Sequence, residues 1–513
     1  MKNRFAKKLI TSILAASSAA MILAGCGSAS ATPVSTDTAS DSAQESVKTD
    51  YPTVNIVLTT LGTHAEPAGI ARVEAALNEI LNEKAGANVK LTFNEFGNHD
   101  NQVSMMLTSA DELDIAYIMA SPNTFIENGQ LLDLTQYIDS ELGQAIKDEL
   151  GETFVEANRK ADGNIYYLPN KRDRSIEMTF MANKEMYLGL GYEIDDSKIW
   201  TLDEIHDMVK ASVEKYPNTY GVAPMSGSQV MNVMMYDNLG DNYNIGVVEN
   251  CGSTGKVVSI TECKEWVDFS RMMRKWYNEG LVMPDFLSNT ESNLMNEGKC
   301  FGNFLSGACP DGMEAEDSKR VLLSISQNFL PSYAAEGMGY IINAMTKHPD
   351  EAFKVLRELY INEDVKRLIS FGVEGEDYVV SEDGLYALYP DGVDGNTAEY
   401  NIGMQNWWIM ANGQCTIVPT SQAPDYWELT RQYDARAIQN PLVGCVFDNS
   451  DVKDEYAACM NVYAKYFDAI MCGSMDTDEG LALYSQELKA AGEDAVIAAK
   501  QAQVDAFLAS RGE

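Results

Sequence analysis

The sequence predicts an α/β protein of parallel-rich sheets flanked by helices, with room for two lobes, and three observations lead there. Between Val54 and Met119 apolar strand patterns alternate with helical ones. The chain of 513 residues is long enough for two domains of ordinary size, each with its own core. An extended stretch near Leu168–Arg174 reads as a passage between them.

The alternation begins at Pro52. Val54–Leu58 reads as a buried strand, and Ile70, Val73, Leu77, Ile80 and Leu81 follow at helical spacing. Val89, Leu91 and Phe93 alternate with Lys90, Thr92 and Asn94, as a strand with one covered face requires. A helix around Val103, Met106 and Leu107 leads to a third strand, Ile115–Met119. This β-α-β-α-β order implies a parallel sheet with right-handed crossovers. Ligands bind such sheets outside the carboxyl ends of the strands, which directs attention to Thr60, Leu61, Ser121 and Asn123 in the loops there.

Further on, the turn Asp162-Gly163-Asn164 introduces Ile165–Pro169, and the charged run Arg172-Asp173-Arg174 sits at the presumed crossing, able to hydrogen-bond a ligand or to form a surface ion-pair cluster. Thr201 with Glu204 three residues later is a capping box, and Leu202, Ile205, Met208 and Val209 give the helix that follows one apolar face. Trp266, Phe269, Met273 and Trp276 stripe another helix, which the helical period assigns to core packing. Gly337–Ala344 reads as a strand, Pro349 as the first turn of a helix carrying Phe353, Leu356 and Leu359, and two long helices close the chain.

The amino terminus is of another kind. Lys2, Arg4, Lys7 and Lys8 precede an apolar run from Leu9 to Leu23, too short to span a membrane and built like a secretory signal. Residues 27–50 are Ser, Ala, Thr and Asp with almost no large apolar side chain, a composition that forms a flexible linker. The net charge of −38 repels nucleic acid and anionic headgroups, so neither is expected as a partner. Eight cysteines beyond Cys26, none in C-x-x-C spacing, are either paired outside the cell or buried as small hydrophobes.

The search for chemistry is negative: no G-x-S-x-G, H-E-x-x-H, Walker or G-x-G-x-x-G motif is present, and the four histidines are scattered. No metal, cofactor or catalytic residue is expected, although 76 carboxylates leave a glycosidase pair open.

Leu23-Ala24-Gly25-Cys26 resembles the lipobox of bacterial lipoproteins, which implies cleavage before Cys26 and lipidation of its thiol. With the linker, Asp162-Gly163-Asn164-Ile165-Tyr166, Trp200-Thr201-Leu202-Asp203-Glu204 and Asn296-Glu297-Gly298-Lys299, it resembles the family 1 extracellular solute-binding proteins of ABC importers. The C-terminal third resembles the lipoprotein branch with a DUF3502-type end, through Lys347–Ala352, Phe371–Tyr378, Cys472–Asp476, Ala490–Glu493 and Gln501–Asp505. That branch usually has Trp-Gly-Asn where this chain reads Trp407-Trp408-Ile409-Met410-Ala411-Asn412-Gly413, a departure at a segment the resemblance would place on the ligand.

The resemblance implies a two-lobed, periplasmic-binding-protein-like fold of class II type that closes on a ligand about a hinge. Its expected layout is a signal in 1–25, a linker in 26–50, lobe one from 51–168 and 321–345, and lobe two from 169–320 and 346–513. Three crossings are expected, near Leu168–Arg174, Val321–Phe329 and Ala344–His348. The implied function is capture of a mono- or oligosaccharide at the outer face of the cell membrane by a lipid-anchored monomer that serves an ABC permease. Trp407, Trp408 and Tyr236 are the candidates for stacking on sugar, with core packing as the alternative for the tryptophan pair. A peptide or other polar solute, a glycan hydrolase and an adhesin are the alternatives to a sugar binder.

Overall fold

Two larger sheets form because the chain carries two sets of strands, most of them buried on both faces, and two small sheets of three and two strands accompany them among the described residues. In the first set, β1 (Thr53–Thr60) buries Val54 and every residue from Ile56 to Thr59, the pattern of a central strand. β2 (Asn88–Glu95) lies parallel to it, Ile56 opposite Leu91, joined by the Pro67–Lys84 helix that buries Val73, Leu77 and Leu81. β3 (Ile115–Ile118) pairs parallel on the other side of β1, and β4 (Leu168–Pro169) follows after short helices.

The chain then builds the second set: β5 (Met178–Asn183), β6 (Tyr220–Val222), the ribbon β7 (Val247–Val248) and β8 (Val257–Val258), β9 (Cys300–Ser306) and β10 (Arg320–Ser324). It returns to the first sheet with β11 (Gly339–Ile342), which runs antiparallel between β3 and β4, Ile341 opposite Ala116 and Tyr340 opposite Leu168. Gly339 permits this close approach, since a Cβ there would sit 2.4 Å from the Leu168 carbonyl oxygen. The computed structural model describes residues 50–511 except 110–112, 120, 161, 173, 225–234, 290, 292 and 307–317. The expected signal, Cys26, the linker to residue 49 and Asp173 lie outside the described residues.

The strand orders are β2-β1-β3-β11-β4 and β10-β5-β9-β6. The second sheet is mixed rather than parallel-rich: β5 is antiparallel to β9 and to β10, and β6 is parallel to β9. Three expected placements are corrected. Arg320–Ser324, assigned to lobe one, is an edge strand of the second sheet, Leu322 opposite Met181. The Pro349–Ile361 helix, assigned to lobe two, packs on the first sheet, where Phe353, Leu356 and Leu359 share a core with Val54 and Ile56 and Phe353 stacks on Tyr137 at 4.7 Å. The last crossing is therefore not at Ala344–His348. It lies between the bridges Lys171–Asn412 and Phe329–Ile438, which flank the other two linkers at 170–177 and 325–338.

The terminal helices, Lys453–Met471, Thr477–Ala491 and Glu493–Arg511, complete the second core with Phe467, Tyr484, Leu488 and Val496. Trp266 stacks on Phe467 with ring centroids 5.2 Å apart. Seven cysteines, at 251, 263, 300, 415, 445, 459 and 472, are buried free thiols. No helix among the described residues is long and apolar enough to cross a membrane.

Candidate functional site

The carboxyl edge of the first sheet gathers several chain segments. β1 ends at half-buried Thr60 and at Leu61, whose side chain is 43 % exposed. The Leu61 carbonyl accepts a hydrogen bond from Asn406 Nδ2 at 2.7 Å, which fixes the Asn406–Ile409 turn over this edge. The Trp408 carbonyl accepts from Asn170 Nδ2 at the end of β4. Ser121, exposed, and Asn123, half-buried, follow β3, where Ser121 Oγ accepts weakly from the Asn123 N–H at 3.5 Å.

Between this edge and the second lobe lies a cavity of 310 Å³. Met119, Asn170 and Met338 face Ile176, Asn242, Pro331 and Tyr333 across it, with Arg172, Arg174 and Glu336 in its wall. All of these but Asn242 are set by a strand end or a crossing: Asn170 follows β4, Met338 precedes β11, and Tyr333 and Glu336 belong to the 325–338 linker. Glu336 Oε1 pairs with Lys160 Nζ at 3.0 Å, while its Oε2 is buried without a hydrogen-bond partner. Burial raises the Tyr333 phenol, so it stays protonated and can donate. Asn242 follows Asp241, whose Oδ2 lies 2.7 Å from the enclosed Lys500 ammonium.

Of the residues the sequence singles out, Arg172 and Arg174 line this cavity, and Thr60, Leu61, Ser121 and Asn123 stand on the same carboxyl edge without lining it. Tyr236 does not reach it. That ring is 1 % exposed inside the second core, so it has no free face for a ligand in this conformation. Trp407 and Trp408 diverge. Trp408 meets Phe96 edge-on at 5.7 Å and leans on the first core, whereas half-buried Trp407 joins Tyr426 at 5.5 Å and Trp427 at 4.9 Å, with interplanar angles of 63° and 87°. Trp427 Nε1 is buried without a partner.

Sequence reading missed Asn170, Asn242, Tyr333, Glu336, Tyr426 and Trp427. The adjacent Tyr426-Trp427 pair was a usable signal, whereas a single Glu among 76 carboxylates was not. Glu249, Cys263 and Glu265 bring three potential metal-ligand atoms, two carboxylate and one thiol, within 4.8 Å of one another. Their donors are already engaged: Glu249 accepts from the Lys264 N–H, Glu265 accepts from the Asn250 N–H, and burial raises the Cys263 thiol. The cluster therefore reads as the start of the Lys264–Asn278 helix. The cavity, in contrast, offers amides, guanidiniums, a phenol and a carboxylate, and suits a ligand rich in hydroxyls.

Comparison with known proteins agrees with this architecture. The model of the bacterial extracellular solute-binding proteins matches residues 68–366, and a domain of unknown function, DUF3502, matches 441–509. A carbohydrate ABC transporter substrate-binding protein of Streptococcus pneumoniae serotype 4 is 23% identical over 87% of this chain and 90% of its own. Among solved structures, the N-glycan transport solute binding protein NgtS of S. pneumoniae aligns with a TM-score of 0.75 at 21% identity, over 90% of this chain and 100% of that one. The same protein in complex with Man1GlcNAc aligns at 0.66 and 21% identity, over 89% and 99%.

Proposed function

Because the chain belongs to the bacterial extracellular solute-binding protein family, we propose that it captures a carbohydrate between its lobes and delivers it to the permease of an ABC importer. The observation that carries this reading is the cavity at the carboxyl edge of the first sheet. Asn170, Arg172, Asn242, Glu336 and Tyr333 line it with the polar groups that hydroxyls require. Half-buried Trp407 and Tyr426, in contact with Trp427 and close in sequence to Trp408, whose carbonyl meets Asn170, supply apolar ring faces on which the C–H face of a sugar ring can lie. The relatives support the same ligand class, one by its carbohydrate transport and one by its complex with Man1GlcNAc.

In this reading the protein is a binder that returns its ligand unchanged and needs no cofactor. It acts as a monomer outside the cell, tethered by lipid on Cys26 after loss of residues 1–25. Labelling with a palmitate analogue checks the tether: wild type should carry the label, and a Cys26→Ala protein that still carries it would refute the assignment.

Calorimetry with Man1GlcNAc, Man5GlcNAc and short peptides tests the ligand. A saturable heat from a glycan is expected, and Trp407→Ala or Tyr333→Ala should each weaken it by about 1 kcal/mol or more. Heat from peptides alone would overturn the sugar assignment, and new reducing ends in the glycan would overturn the non-enzymatic one.

A further inference from the structure

A second cavity, of 470 Å³, shares Arg172 and Arg174 with the first and has a different character. In a chain of net charge −38, its wall holds five cations, Lys171, Arg172, Arg174, Arg431 and Arg511, and one carboxylate, Asp434. That carboxylate is already engaged, since its oxygens accept from the Arg174 and Ser175 N–H groups and from Ser175 Oγ.

Arg174 is the decisive residue. It is 8 % exposed, and its guanidinium donates to two backbone carbonyls, Ala334 at 2.9 Å and Asn170 at 3.4 Å, while lying 4.0 Å over the Phe154 ring. Among the described residues no carboxylate forms an ion pair with it. Burial pulls this guanidinium down to about 10, against the opposing influence of the Asp434 charge. Arg511 is in the same position at the surface, donating to the Val443 carbonyl at 2.9 Å over the Phe507 ring, with no carboxylate partner among the described residues. Lys171 and Arg431 each hold a single carboxylate, Glu149 and Glu428. A buried cation without a counter-ion is costly, and a planar fork of N–H donors matches an oxyanion.

We propose that this cavity binds the oxyanion of a small solute, either a carboxylate-bearing sugar or free phosphate, with Arg174 at its floor and Arg431 and Arg511 at its mouth. The site does not depend on the sugar reading of the neighbouring cleft, because its chemistry is charge and not hydroxyl recognition.

The test is calorimetry of the full chain with glucuronate, its neutral counterpart glucose, and inorganic phosphate, at about 20 mM and about 200 mM salt. One or both anions should give saturable heat that weakens at the higher salt, and glucose should give none in competition with them. Arg431→Gln combined with Arg511→Gln should lower anion affinity by about tenfold or more, and Arg511→Gln alone by less, both without loss of circular dichroism signal. Heat from glucuronate alone identifies a sugar acid as the ligand, and heat from phosphate alone identifies the free anion. The same variants should leave any Man1GlcNAc heat unchanged, so failure of the cleft reading and failure of this one are separable. No heat from either anion at millimolar concentration, or heat that both variants and salt leave intact, would overturn the proposal.

Discussion

Lys500 shows how far the C-terminal helices reach toward the candidate cleft. Its ammonium is fully enclosed, 2.7 Å from Asp241 Oδ2 and 2.8 Å from the Gly246 carbonyl, with the Phe447 ring 4.9 Å away. Asp241 also accepts from Tyr456 Oη–H and from the N–H groups of Tyr243 and Ile245, so one carboxylate organises the loop that carries Asn242. Removing one partner of a buried pair leaves the other charge uncompensated, at a cost of about 3–5 kcal/mol. Lys500→Met should lose that much in urea unfolding. Lys500→Met with Asp241→Asn should recover part of it, because both charges are then gone. A Lys500→Met protein of wild-type stability would contradict this account.

At the scale of elements, the Leu202–Lys215 helix opens with both halves of its capping box in place: Thr201 Oγ1 accepts from the Glu204 N–H at 3.2 Å and Glu204 Oε2 accepts from the Thr201 N–H at 2.9 Å. Thr201→Ala should cost about 1 kcal/mol, read as a lower urea midpoint at constant slope. Features of this kind are legible because they are local. The box, the Trp266 stripe and the alternation in β2 lie within a few residues of one another, and the side-chain period states which face is buried. What a face is buried against is not local. The apolar stripe of the Pro349–Ile361 helix fits either sheet equally well in sequence, and only the stacking of Phe353 on Tyr137 and the Tyr360 hydroxyl on the Leu168 carbonyl decide for the first. Arg320–Ser324 went astray for the same reason. The candidate site was half legible: the strand-end rule led to the carboxyl edge, and Arg172 and Arg174 line its cavity, but Tyr236 turned inward because an aromatic side chain does not declare which of two nearby surfaces it fills.

At the scale of the whole molecule, the two larger sheets, each with its own core, are joined by three linkers, at 170–177, at 325–338 and between Asn412 and Ile438. Three connections restrain sliding and twisting more than bending, so ligand should bring the lobes together about one axis. Small-angle scattering with a glycan that gives calorimetric heat should show a smaller radius of gyration, with an unchanged circular dichroism spectrum. An unchanged radius at saturating glycan would mean that the lobes do not close. The position of β11 sets a further condition, on the order in which the chain can fold. It fills the gap between β3 and β4, yet it is synthesised only after the whole second sheet. Until Gly339–Ile342 emerges, β3 and β4 present unpaired edges in the midst of an apolar sheet, the state most prone to pairing with another chain. A fragment ending before Gly339 should therefore sediment with aggregates where one extended through the Glu363–Phe371 helix stays in solution.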